Sequence, residues 1–470
     1  MRDEGASTAV TTTERVTRGA RPLRAAAWAA LLAGALLWGG CDSPRRPEPA
    51  PRPAARVETG LPDTELLDRV QRQTFRYFWD FAHPVSGLAY DRLESGAPAD
   101  PAPCTSGGTG FGVMTIVIAT ERGWIGRAEA LERLLRLTAF LEKADRHHGV
   151  FPHWLNGSTG RTIPFGEGDD GGDIVETAYL FEGLLTARQY FARPDSAEAE
   201  LRRRIDALWR DVDWTAHVAP GQPALQWLRS PNHDFVAEGG VSGWNEALIT
   251  YVLAAGSPTH PIDTTLYHRG WARDGDMRSN REFYGIRLPM GPDYGGPLFF
   301  EHYSFLGLDP RGLTDRYADY WEQCVNHTRI NREYCVRNPK GFRGYGPDCW
   351  GLTASDVKGG YAANSPTEDS GTITPSAALS SMPYTPLYSM QAMRHFHDVK
   401  GGTLWKDCGF VDAFDETHGW IAPSHLAIDQ GPIVVMIENY RTRLPWKLFM
   451  SCPEVRLGLR RLGFESPWLE

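Results

Sequence analysis

The chain has 470 residues, enough for one large domain or two to three ordinary ones. It carries 49 Lys and Arg against 58 Asp and Glu, a net charge of −9, with 41% hydrophobic residues and a mean hydropathy of −0.38. That balance excludes a protein built to grip nucleic acid or anionic lipid, and the composition is that of a globular chain. Aromatic residues are plentiful (16 Trp, 17 Tyr, 20 Phe), which suits large cores and stacking platforms for sugars alike.

In chain order, Arg15, Arg18, Arg21 and Arg24 precede an apolar stretch from Ala25 to Trp38, followed by Gly39-Gly40-Cys41. A positive region, an apolar region and a small-residue cleavage site predict an export signal over residues 1–41, with cleavage before Cys41. The apolar run is short for a membrane span. A cysteine directly after small residues resembles a bacterial lipobox. It predicts a lipid anchor on Cys41 and a periplasmic or cell-envelope location, with a plain cleavable signal as the alternative. Residues 42–60 follow as a Pro-rich, semi-rigid tether. Six further cysteines remain (Cys104, Cys324, Cys335, Cys349, Cys408 and Cys452), an even count that predicts structural disulfides in an oxidising compartment, with the pairing open.

From residue 61 the pattern is helical. Asp63–Phe81 opens on an N-cap aspartate and repeats apolar residues at Leu66, Leu67, Val70, Phe75 and Phe78. Further helices are predicted over Phe111–Arg122, Arg127–Arg146, Asp173–Phe191, Ala197–Val212, Ser242–Ala255, Thr314–Arg329, Ser376–His397 and Gln430–Thr442. Asp173–Phe191 is apolar nearly all round, as a helix buried on every side must be. Helices alternating in exposure, joined by long loops (157–172, 257–298, 339–375), predict one all-α domain over 61–470, an (α/α)6 toroid or barrel. An irregular helical array is the alternative.

Two constellations carry chemistry. Asp169, Asp170, Asp173 and Glu176 fall within eight positions on a glycine-rich approach to the buried helix. Capping explains Asp173 with Glu176 alone. Crowded carboxylates whose pKa values are pushed apart suit acid–base work or sugar binding, and a calcium site is the third reading. Glu246 stands in the first turn of its predicted helix. There it either complements the helix dipole or, on an inner helix facing a central cavity, gives a proton as a general acid. Gly108-x-Gly110-x-Gly112 lacks the flanking strand of a dinucleotide loop. His395-x-His397 has no third metal ligand in view, and no metal or cofactor is expected. Trp154, Trp244, Trp271, Trp350 and Trp420 sit beside loops, in the core or under a sugar.

The segments FRYFWDFAHPVSGLAYDR (75–92), GTGFGVM (108–114), FPHW (151–154), GDDGGDIVETAYL (168–180), GGVSGWNEALITYVLA (239–254), CWGLTASD (349–356) and DQGPIVVMIENYR (429–441) resemble, in order, the bacterial glycoamylase-like family. The resemblance implies an (α/α)6 toroid and an exported glycoside hydrolase cutting a β-linked glucan, first of all β-1,2-glucan, by inversion and without cofactor. Related domains occur in cyclic β-1,2-glucan synthases. A transglycosylase of the same fold and a non-catalytic glycan-binding envelope lipoprotein are the alternatives. The family's acidic residues fall on Glu246, Asp169, Asp173 and Glu176, and its motifs place Asp170, His153, Trp154, Trp244, Trp350 and Asp356 beside substrate. A glucan is then the partner, with the membrane reached only through Cys41, and the protein is expected to be a monomer.

Overall fold

The computed structural model describes residues 57–94, 102–166, 168–235 and 239–470. The predicted export signal, Cys41 and most of the predicted tether therefore lie outside the described residues. Helices dominate and follow one another in pairs. Helix α1 (Asp63–Trp79) leads to α2 (Ser106–Glu121), α3 (Arg127–Leu141) to α4 (Ile174–Tyr190), and α5 (Ser196–Asp211) to α6 (Leu248–Gly256). Next, α7 (Tyr320–Arg337) leads to α8 (Pro375–Ser380). Then α9 (Pro386–Arg394), a π turn and the short α10 (Gly401–Leu404) lead to α11 (Ala427–Arg441). Helices α12 (Leu444–Met450) and α13 (Pro453–Arg461) follow, and the described strands are two to six residues long.

Within each early pair the first helix is amphipathic and the second is sealed. α1 buries Leu66, Leu67, Val70, Phe75 and Phe78 and leaves Arg72 exposed. α4 is buried without a break from Ile174 to Arg188, and α6 throughout. Helices with no polar face need neighbours on all sides. They have them: α2 packs against α4 and α11, α4 against α6, α8 against α11, and α1 against both α2 and α11. The α1–α11 seam is tied by Gln71, whose Nε2 donates to Val434 O at 2.9 Å and to Glu438 Oε2 at 3.2 Å.

The structure moves several predicted boundaries. α2 begins at Ser106, five residues before the periodic pattern, because its glycines are contact points and not loop residues. A Cβ on Gly110 would lie 2.0 Å from Tyr179 O, and one on Gly183 would lie 2.0 Å from Gly110 O. The backbones of α2 and α4 touch there, which overrides the ~1 kcal/mol helix penalty of each glycine. α1 starts on an uncapped Pro62, with Asp63 already inside the helix. α7 starts at Tyr320 because Asp319 caps it, accepting from Trp321 N and Glu322 N. The helix expected over 376–397 breaks at Ser381–Thr385, around Pro383, and resumes as α9.

Among the described residues between α6 and α7 no inner α-helix forms. Its place in the chain is taken by two 3₁₀ turns, Leu298–Glu301 and Tyr303–Phe305. Side chains satisfy this backbone where a helix would satisfy its own. Gly307 N donates to Glu182 Oε1 at 2.6 Å, Asn439 Nδ2 to Leu306 O at 2.9 Å, and Trp446 Nε1 to Phe305 O at 2.8 Å.

The predicted disulfides are not found. Cys324, Cys335, Cys349, Cys408 and Cys452 are buried free thiols, and Cys104 is buried on the strand Pro103–Thr105. They are spread over two separate apolar clusters, where they pack as small hydrophobes. Burial pushes Cys349, Cys408 and Cys452 up to about 12 and Cys335 higher still.

Candidate active site

The approach to α4 is built from tight turns. Gly168 takes φ +78°, a region open to glycine, and the turn closes with Phe165 N on Asp169 O at 3.0 Å and Asp169 N on Gly166 O at 3.1 Å. Gly172–Asp173 then pairs with Leu228–Ser230, and Asp173 caps α4, its Oδ1 accepting from Val175 N (3.0 Å) and Glu176 N (2.9 Å). The expected capping box is half present. Glu176 does not reach back; its Oε2 accepts from Gly107 N at 2.7 Å and Thr105 Oγ1 at 3.1 Å, tying α4 to the start of α2.

His153 lies at the centre of this group. Its Nδ1 faces Asp173 Oδ2 at 3.2 Å. Burial pulls its pKa down, but Glu176, Asp173 and Asp169 outweigh burial and carry it up to about 10. His153 is thus a cation at neutral pH. Trp227 Nε1 adds a second donor to Asp173 Oδ2 at 3.3 Å, so both oxygens of Asp173 are engaged. Asp169 differs. It is buried, its Oδ1 has no hydrogen-bond partner, and burial together with the charge of Asp173 raises its pKa to about 7. Asp170 turns outward, where hydrogen bonds from Ser230 and Asn232 hold its carboxyl below the usual range. Buried Glu176 is raised, chiefly by burial.

Glu246 precedes its helix. Residues 242–247 form bends and turns, and α6 starts at Leu248. Helix-dipole complementation is therefore not its role. The Glu246 carbonyl accepts from Tyr179 OH at 3.3 Å and from Ser304 Oγ. Its side chain is partly exposed. Burial of the carboxyl, with the charges of Asp173 and Glu176 nearby, raises it to about 7. The structure thus gathers Asp169, Asp173, Glu176, His153 and Glu246 into one electrostatic unit.

The predicted sugar contacts divide. Trp154 is half-buried and meets Phe165 edge-on at 4.6 Å, while Phe165 stacks on His153 at 4.2 Å and is itself exposed. Trp244 and Trp350 are corrections: both are sealed in the core, where no ring face is open to a sugar. The Trp244 indole N–H is spent on buried Glu301, at 3.0 Å. Trp271 is sealed as well, and Trp420 is half-buried on the strand Trp420–Ile421.

Asp356 belongs to a group that spacing did not reveal. Its Oδ2 accepts from Arg92 and Ser424, and its amide donates to Asp412 Oδ2 at 2.7 Å. Asp429, in the first turn of α11, accepts from Ser376 Oγ at 2.6 Å. Burial and the neighbouring Asp429 and Asp356 lift Asp412 well above the carboxylate range, and burial raises Asp429 to about 7. Like charges this close cannot all ionise at neutral pH. Tyr303 sits between the two acidic groups, its hydroxyl feeling both Asp429 and Glu246 and its ring 5.7 Å from Tyr179. One signal was available in the sequence, an aspartate shortly before the apolar run Ile433–Ile437; Asp356 and Asp412 are 56 residues apart and meet only in the fold. Among the described residues no three His, Cys, Asp or Glu groups are arranged to hold a metal ion.

Known proteins share this arrangement of chain. The family model "Glycoamylase", described as "Putative glucoamylase", matches residues 240–453. The solved endo-β-1,2-glucanase of Chitinophaga pinensis, in complex with sophorotriose and glucose, is 52% identical, with a TM-score of 0.85 over 87% of this chain and 100% of that one. The solved β-1,2-glucanase of Parabacteroides distasonis is 44% identical, with a TM-score of 0.82 over 86% of this chain and 60% of that one. A curated exo β-1,2-glucooligosaccharide sophorohydrolase (non-reducing end) of the same organism is 44% identical over 423 residues, of whose full length this chain spans 58%. Identity above one half along the whole of a solved relative, the same helix-rich fold and the matching family model make the chain a member of the glycoamylase-like family.

Proposed function

We propose that the protein is an exported glycoside hydrolase that cleaves β-1,2-glucan, with Glu246 as general acid. The observation that carries this reading is Glu246 itself: a half-buried residue whose carboxyl burial holds near 7, facing a set of buried carboxylates with different protonation. Two carboxyl groups suffice for glycoside hydrolysis, one giving a proton to the leaving oxygen and one activating water. The β-1,2 activities of the relatives supply the linkage.

Asp169 is the better base of the first group, because its Oδ1 has no partner whereas both oxygens of Asp173 are engaged. Asp173 and Glu176 then hold His153 and the α2–α4 junction. Inversion leaves room for a water between acid and base, ~6.5–9.5 Å. We read the five helix pairs, with the 3₁₀ segment standing as the fourth of six inner elements, as an (α/α)6 toroid. Cys41 would carry a lipid that keeps the enzyme in the cell envelope, and Cys41→Ala would release it to the soluble fraction.

The test is a panel of linear β-1,2-, β-1,3- and β-1,4-glucans and starch, with product chromatography. Shortening of β-1,2-glucan alone is the expected result; longer or cyclic products would mean transfer, and binding without turnover a non-catalytic module. Glu246→Gln lowers kcat by ~10²–10⁴-fold. Activity of the native enzyme falls as pH rises through about 7, where Glu246 loses the proton it must donate.

A further inference from the structure

Glu246 stands on irregular chain, with no helix of its own to aim it. Within residues 242–247 the one local side-chain brace is Asn245 Oδ1, which accepts from Ala247 N at 2.9 Å. The remaining grip comes from Trp271 O, which accepts from Gly243 N at 2.8 Å, from Tyr179 OH, which donates to Glu246 O at 3.3 Å, and from the 3₁₀ segment. Ser304, fully buried, donates its hydroxyl to Glu246 O and accepts from Ile249 N at 3.0 Å. One side chain thus ties the acid's own carbonyl to the first turn of α6. Ile249 N is in the first turn of α6, where no i−4 carbonyl is available to it. Three residues earlier, Glu301 Oε1 accepts from Trp244 Nε1 (3.0 Å) and Gln323 Nε2 (2.9 Å) and faces His327 Nδ1 at 2.8 Å. Tyr384 OH fixes the Glu301 carbonyl at 2.7 Å. The segment cannot drift, since Glu182, Asn439 and Trp446 hold Gly307, Leu306 and Phe305.

We propose that Ser304, backed by the Glu301–Trp244 bond, is the positioning residue that aims the Glu246 carboxyl at the leaving oxygen. This rests on Glu246 being the general acid. Without that hydroxyl the buried Ile249 amide loses its partner and Glu246 O keeps only the long bond from Tyr179 OH, so the backbone turns to find partners. A proton donor must come within ~2.6–3.2 Å of its target, and ~1 Å of misplacement costs on the order of 10²-fold.

The experiment is Ser304→Ala made in the native protein and in Glu246→Gln, assayed on a linear β-1,2-gluco-oligosaccharide across pH, with a thermal melt of each. Ser304→Ala alone lowers kcat by about 10–100-fold with KM within about 3-fold, and moves the basic limb of the pH profile. In the Glu246→Gln background it brings less than about 2-fold further loss, because a residue acting through Glu246 has nothing left to aim. Unchanged kcat in Ser304→Ala, or the same loss in both backgrounds, overturns the positioning role and leaves the acid in place. Near-normal turnover in Glu246→Gln overturns both. If Ser304→Ala does not fold, Trp244→Phe removes the donor to Glu301 from the same frame and leaves a smaller ring in its place. It is expected to cost about 3–10-fold in kcat, and that cost too vanishes in Glu246→Gln; a loss that persists there refutes the frame.

Discussion

Gly110→Ala is a severe test of how α2 and α4 meet. The added methyl would lie 2.0 Å from Tyr179 O, 2.6 Å from Tyr179 C and 2.6 Å from Leu180 Cα, all of them backbone atoms of a buried helix. No rotamer change relieves such an overlap, so the helices must separate by ~1 Å or more. A gap of that size forfeits a quarter to a half of each dispersion contact along the seam. Ordinary overpacking costs ~1–3 kcal/mol; a clash with backbone on both helices puts the loss at ~4 kcal/mol. Gly402 is the matched control, exposed in α10 with nothing within 4 Å of its would-be Cβ. There alanine is neutral or stabilising by up to ~1 kcal/mol. Denaturant unfolding of both variants reads the difference, with activity followed in parallel because Glu176 is anchored on Gly107 at the same seam. A Gly110→Ala protein within about 1 kcal/mol of native stability would refute the helix contact.

Three further outcomes are expected. His153→Gln removes the cation that lowers Asp169, so Asp169 titrates above about 7 and the acidic limb of kcat/KM moves to higher pH. Because folding raises His153 from 6.5 to about 10, the stability it contributes is fully present below 6.5 and is lost as pH rises through about 10. The melting difference between native and variant should shrink over that window. Trp350→Phe costs ~2 kcal/mol by leaving a cavity but leaves KM for the glucan unchanged; a raised KM would return Trp350 to the substrate. Cys324, Cys335, Cys349, Cys408 and Cys452 resist alkylation until the protein is unfolded, as peptide mass spectrometry would show, and reductant leaves the melting temperature where it was.

Much of the helical architecture and the first acidic group are legible in the sequence because both depend on local spacing. A helix with no polar face, as at Ile174–Arg188, announces its burial. Asp173 before an apolar run announces a cap, and the cap is there. What spacing misses is set by distant partners. The glycines of α2 look like a loop until the backbone of α4 is placed against them. Glu246 looks like a first-turn residue until Ser304, 58 positions away, is seen holding its carbonyl. An even number of cysteines is compatible with bridges and with core packing alike, and only the fold separates the two. Asp412 and Asp429 give no sign of being neighbours until the fold brings both beside Asp356.

The seam between α1 and α11 bears on how the molecule is made. Gln71 reaches Val434 across 363 residues of chain, and Arg441 of α11 returns to Gln71 Oε1 at 2.6 Å. Helix α1 thus finds its permanent neighbour only after α11 has been made. Until then its apolar stripe, with Leu66, Leu67 and Val70, has water or a foreign surface in place of α11. Pairings this remote in sequence are slow to form, and a waiting hydrophobic face is what holding chaperones and aggregates both recognise. Loss of α11 would therefore do its damage more than three hundred residues away, by leaving α1 unsheltered.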